Sequence, residues 1–217
     1  MTVRSPELDV STKQRVIDAA GRTFAAKGFE QATVREICKA AAANIASVNY
    51  YFRDKAGLYA EAVRQAHEWR IAKAAMPDWP NEAPAESKLY DFITTQLTRV
   101  LLCGPEHWQT QLIMREAMSP TPHCGVLAAE GIRPQFEMLK SILQELAGGV
   151  LADDVLHRLV FSVVGQWLFY RIGEHIIPTL LRQPFDPRHH VPTLARHITC
   201  VAIAAAKSAA AENGGAA

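Results

Sequence analysis

Two helix-opening boxes near the start of the chain restrict its fold more than any other feature. Ser11-Thr12-Lys13-Gln14 reads S-x-x-Q and Thr33-Val34-Arg35-Glu36 reads T-x-x-E, each just ahead of apolar residues recurring at three and four. In such a box a hydroxyl and a Glu or Gln side chain satisfy the free backbone amides of a helix start. The first box opens a helix with Val16, Ile17, Ala20 and Phe24 on one face, ended by Gly28 just after Lys27. The second opens a brief helix with Val34, Ile37, Cys38 and Ala41 inward. A turn of small residues, Ala42 and Ala43, leads to Asn44, placed to cap a third helix over Ile45 to Tyr51 that closes with Phe52. Asp54 then caps a fourth.

The same spacing continues to the end, and no stretch alternates as a strand would. The fourth helix is expected from Lys55 to about Ala75, broken by the three prolines of Met76 to Pro84. Further helices are expected near 86–102, 105–118, 124–146, 152–172 and 191–210, with a short helical turn around 174–181. The fold class is therefore all-α, with a three-helix N-terminal domain at 1–55, a connecting helix at 56–75 and a second helical domain at 76–217.

Composition removes other classes. No run of about 18 apolar residues is long enough to span a bilayer. The first ten residues lack the apolar core of a secretion signal, so a cytoplasmic home is expected. Cys38, Cys103, Cys124 and Cys200 show no C-x-x-C spacing, which suits reduced thiols better than a zinc site. Five of the eight histidines, His107, His123, His175, His189 and His190, invite a metal reading, but Cys103-x3-His107 spans a Gly-Pro break and His189-His190 point apart, so neither metal nor cofactor is expected. The net charge is only +1, yet residues 1–55 hold nine Lys or Arg against six acids, which is +3. That asymmetry suits a polyanion partner.

Two short helices joined by a tight turn fit the major groove, about 12 Å wide, which admits one helix. Val48 and Phe52 lie four apart and should seat the third helix against Phe24 and Ile37, leaving the other positions outward. Ala46 permits close approach to the bases, Ile45 can touch a thymine methyl, and Ser47 and Asn49 can hydrogen-bond bases or phosphates. Tyr50 and Tyr51 differ in direction by about 100°, so one narrow stripe cannot bury both, and they suit phosphates. Thr33 and Lys55 mark two helix N-termini that attract phosphate, helped by Arg35 and Arg53. The expected DNA contacts are thus Thr33, Arg35, Asn44, Ile45, Ala46, Ser47, Asn49, Tyr50, Tyr51 and Lys55.

Residues Thr12 to Val63 resemble the N-terminal domain of the TetR family of bacterial repressors. The resemblance rests on Gly28-Phe29, Thr33 with Ile37-Cys38 and Ala41, Tyr50-Tyr51-Phe52, Arg53-Asp54 and Lys55. Three positions depart from the family pattern: Ala42 stands where Gly is common, Asn44 where Ser or Thr caps, and Asn49 where a tyrosine is usual. Asn49-Tyr50-Tyr51-Phe52, Met114-Arg115-Glu116 and Ser119-Pro120-Thr121 also resemble a CecR-like subgroup. The resemblance implies a homodimeric transcriptional repressor, released from a palindromic operator on double-stranded DNA by a small-molecule effector.

In that family the last two long helices pair between subunits, which points here to Leu156, Leu159, Val163, Leu194, Ile198, Val201 and Ala205; the alternative is that both are internal core helices. The residues expected to form an effector pocket are Trp108, Met114, Arg115, Met118, Phe136, Trp167 and Tyr170, although each aromatic taken singly reads equally as core packing. Arg115, on a mostly apolar helix, calls for a carboxylate partner: Glu116, Glu137 or ligand, with an internal ion pair the favoured choice. An enzyme is disfavoured because the chain has no phosphate-cradling Gly loop, no G-x-S-x-G and no H-E-x-x-H. The alternative is a helical protein-interaction adaptor with a disabled DNA module.

Overall fold

The computed structural model describes residues 6–102, 104, 107–123, 125 and 127–214, of which 6–11, 127–128 and 213–214 are described by backbone alone. Cys103, Pro105 and Cys124 fall outside the described residues. The regular elements are all helical: α1 (Pro6–Gln31), α2 (Val34–Ala40), α3 (Ile45–Phe52), α4 (Lys55–Ala72), α5 (Ala85–Leu101), α6 (Trp108–Met118), α7 (Arg133–Ala147), α8 (Asp153–Ile172), α9 (Ile177–Leu181) and α10 (Val191–Gly214). A π-helical turn, Leu127–Ile132, leads into α7, and a 3-10 turn, Pro187–His190, leads into α10. No described helix is long and apolar enough to cross a membrane.

The expected elements appear, with differences at their ends. Helix α1 begins at Pro6, ahead of the Ser11 box, because a proline is preorganised for the first helical position. Gly28 interrupts α1 with φ 81° and ψ 171°, a conformation open essentially only to glycine. Thr33 accepts a hydrogen bond from the Glu36 amide at 3.2 Å, Asn44 from the Ala46 amide at 3.0 Å, and Asp54 from the Gly57 amide at 2.8 Å. These three caps fix where α2, α3 and α4 start. Ala42 takes φ 48°, which explains why glycine suits this turn.

The chain divides into two compact units: Met1–Ala72 with Gly104–Ile132, and Lys73–Cys103 with Arg133–Ala217. The division differs from the sequence partition at 55 and 75, since α6 belongs with the first three helices and α4. Leu112 and Ile113 complete a core built by Val16, Ile17, Phe24, Ile37, Val48, Phe52, Leu58 and Tyr59. Trp108 lies so close over α1 that a Cβ on Gly21 would sit 2.3 Å from its ring. Breaks in a sequence mark where helices end; they do not say which core each helix joins.

The second unit packs α5, α7, α8 and α10 around Leu89, Phe92, Ile93, Leu97, Leu139, Leu143, Val160, Trp167 and Ala195. Leu156, Val163, Leu194 and Ile198, expected at a subunit interface, are interior residues of this core. The most apolar stripe of each helix turns inward because burying it removes the most hydrocarbon from water. Of the expected set only Leu159, Val201 and Ala205 keep appreciable surface.

Candidate nucleic-acid interface

Val48 and Phe52 are buried in the core of the first unit and hold α3 from behind. Ile45, Ala46, Asn49 and Tyr50 are exposed, with Tyr50 at 76%. Ser47, expected to face outward, is instead buried at 8%; it precedes Val48 on the inner side of the helix, and a serine is small enough to pack there. Tyr51 is half-buried between Tyr50 and Phe52, with ring centroids 4.9 and 5.9 Å away. The two tyrosines therefore divide as their directions required, one outward and one along the edge of the core.

Thr33, Arg35 and Asn44 are exposed at the rims of α2 and α3, where Thr33 and Asn44 also serve as caps. Lys55 is half-buried. Its ammonium donates to the Glu30 carbonyl at 3.2 Å and lies 4.5 Å from the centroid of the Phe29 ring. That grip ties the start of α4 to the end of α1, beyond Gly28, through a hydrogen bond and a cation–π contact. Burial pushes the Cys38 thiol on α2 above its ordinary pKa, which suits a packing role.

Behind this face, α6 is fastened by two adjacent side chains. Arg115 donates from Nε to the Ala25 carbonyl at 3.0 Å and from Nη2 to the Ala26 carbonyl at 3.1 Å, capping the last regular turn of α1. The expected carboxylate partner is replaced by backbone carbonyls, because the negative end of a helix dipole holds a cation as well. Glu116 is 1% exposed. It accepts from the Tyr59 hydroxyl and from the amide and hydroxyl of Thr121 at 3.0 and 2.9 Å. Burial and the Glu116 carboxylate push the Tyr59 phenol above its usual range, so it stays protonated as the donor. Nothing in the apolar periodicity pointed to this pair; the sequence offered Glu116 only as a partner for Arg115, and Tyr59 not at all.

The residues expected to line an effector pocket divide between the units. Trp108, Met114, Arg115 and Met118 belong to the first, Trp108 covering Gly21 and Met118 standing 64% exposed. Phe136, Trp167 and Tyr170 belong to the second, where their ring neighbours are His157 and Phe161, Phe92, and Phe169 and Phe185 respectively. The three rings thus keep separate company. The sequence reading also passed over Arg99 and Gln96 on α5, both buried, and Gln135 on α7, which carry the polar chemistry of the second unit's interior.

A short helix seated by Val48 and Phe52, presenting Asn49 and Tyr50 outward beside two capped helix starts, defines a helix-turn-helix protein. Residues 16–62 match the family described as bacterial regulatory proteins, tetR family. Residues 85–206, more than half of the 217-residue chain, match the C-terminal domain of the HTH-type transcriptional dual regulator CecR. The chain belongs to the TetR family of transcriptional regulators, with a CecR-type C-terminal domain.

The probable HTH-type transcriptional regulator YttP of Bacillus subtilis (strain 168) is 43% identical over 61 residues, 28% of this chain. The chain spans about 30% of the length of that curated relative. Solved structures with a similar fold include a putative tetR family transcription regulator from Shewanella sp. PV-4, with a TM-score of 0.61 and 16% identity over 87% of this chain and 95% of that one. NalD, the secondary repressor of the MexAB-OprM multidrug efflux pump in Pseudomonas aeruginosa, gives a TM-score of 0.56 and 18% identity over 88% of this chain and 95% of its own. The fatty acid degradation regulator FadR from Bacillus halodurans gives 0.58 and 18%, over 86% and 97%. At such identities these likenesses describe the fold.

Proposed function

We propose that the protein is a homodimeric repressor that reads a palindromic operator with α3 and leaves it when a small molecule binds the second unit. The observation that carries the reading is the outward face of α3. Ile45, Ala46, Asn49 and Tyr50 stand clear of the unit's own core while Val48 and Phe52 hold the helix from the opposite side. Asn49 offers the amide that pairs with adenine edges, Ile45 suits a thymine methyl, and Tyr50 with Arg35 suits the phosphates. One such helix makes few base contacts, so two are needed about 34 Å apart along the duplex.

The pairing surface follows from what the second unit leaves uncovered. Phe161, Gly165 and Phe169 fall at i, i+4 and i+8 on the exposed side of α8, with Phe161 64% and Phe169 52% exposed. His197 and Val201 occupy the matching side of α10, across a groove bordered by Gly165 and Phe169. Apolar rings in such a stripe favour a partner surface over water. A Cβ on Gly165 meets nothing within 4 Å, so Gly165→Arg is tolerated by the isolated subunit and should split the dimer in sedimentation experiments.

A mobility-shift titration with DNA flanking the protein's own gene, at stated salt, tests operator binding. Asn49→Ala is expected to weaken the shift about tenfold or more through the lost base contact. No shift at low salt, with a folded dimer, would instead favour the adaptor reading.

A further inference from the structure

We propose that Arg99 anchors a site in the second unit for a small organic carboxylate, flanked by the amides of Gln96 and Gln135. The inference rests on the ligand-responsive reading above and assigns the chemical class of the effector. Helix α5 turns Leu89, Phe92, Ile93, Leu97 and Val100 into the core, and Thr95, Gln96 and Arg99 interrupt that face while buried with it. Arg99 is 2% exposed. Its Nε donates to the Ala74 carbonyl at 2.8 Å, and its Nη1 to Gln135 Oε1 at 3.0 Å. The Gln96 amide donates to that same Oε1.

Both acceptors of the guanidinium are neutral. Among the described residues no carboxylate pairs with Arg99, and its Nη2 makes no hydrogen bond. An arginine does not escape this by losing its proton, since its charge persists even when burial lowers the pKa. Taking a cation out of water is costly, and hydrogen bonds to neutral carbonyl and amide oxygens offset that cost less well than an opposite charge does. The site is therefore short of one negative charge.

A carboxylate approaching end-on would use the second Nη1 hydrogen and one from Nη2, the bidentate geometry in which guanidinium binds acids best. Phe92, one turn before Gln96 on α5, and Phe136, next to Gln135 in sequence, make the neighbourhood apolar and suit an acid with a hydrocarbon or aromatic body. Arg99 also holds the Ala74 carbonyl, in the segment that follows the last turn of α4. A ligand that draws the guanidinium towards itself loosens that hold, which couples occupancy to the stretch leading out of the reading unit.

The test is calorimetric titration of the full-length protein with benzoate and octanoate, each compared with its neutral amide. The acids are expected to bind about tenfold or more tightly than benzamide and octanamide, and Arg99→Gln should erase the preference. Gln135→Glu supplies the missing charge internally; this variant should fold and likewise lose the preference, and it decides the matter if Arg99→Gln does not fold. Equal binding of acid and amide, no binding of either acid, or a preference that survives in the folded variants overturns the proposal. Mobility shifts with the same preparations separate the two readings. Operator binding without carboxylate preference defeats only the carboxylate site, and carboxylate binding without any operator shift defeats only the regulator.

Discussion

Among the described residues each unit buries one charged side chain almost completely, Glu116 in the first and Arg99 in the second. Glu116 receives hydrogen bonds from Tyr59 and from both donors of Thr121, so its charge is shared among groups fixed by α4 and by the turn after α6. Arg99 meets only a carbonyl and an amide. A buried charge with a complete set of partners fastens elements together, and one left incomplete keeps a place for something else. The first unit uses its charge for construction, and the second holds its own in reserve.

The sharpest way to break this contrast is Glu116→Ala. It strands the Tyr59 hydroxyl and both Thr121 donors in the interior, and about 3 kcal/mol of stability should vanish in urea unfolding. A loss below about 1 kcal/mol would mean that the network is ornamental. Gly28→Ala comes next, because the new Cβ sits on a backbone only glycine tolerates and 3.1 Å from Arg115 Nη1. A cost of about 2 kcal/mol is expected in the same measurement.

Ala42→Gly serves as an internal comparison in the first unit, touching neither charge. Relief of its positive φ should raise the unfolding midpoint by the equivalent of about 1 kcal/mol. The smallest effect belongs to Arg99→Met, which removes an unpaired cation and fills its space with hydrocarbon. Stability should change by less than about 1 kcal/mol, with a gain the expected direction. If it instead costs as much as Glu116→Ala, Arg99 is a structural clamp and the contrast between the units collapses.

The parts of the molecule readable from sequence are those written in local contacts. Thr33, Asn44 and Asp54 each bond to an amide two or three residues on, so the starts of α2, α3 and α4 were visible as short patterns. Which partner a helix face chooses is a non-local matter. Leu112 and Ile113 read as an apolar face without saying that α1 and α4 would cover it, and Leu156 and Ile198 read as apolar without saying which side the core would take. Ser47 misled because a small hydroxyl is equally at home inward or outward. Arg99 was legible in principle, as a cation falling seven residues after Phe92 on an apolar stripe, but polarity alone does not reveal burial.

Because residues 104–132 complete the first unit, the DNA-reading half cannot be lifted out as one uninterrupted cassette. A fragment ending at the proline-rich joint would leave Leu58 and Tyr59 without Leu112, Ile113 and the Glu116 carboxylate, and would be a poor bait or fusion partner. Engineers who wish to graft a different sensor onto this reader should treat residues 73–103 and 133–217 as the exchangeable portion and leave α6 with its host.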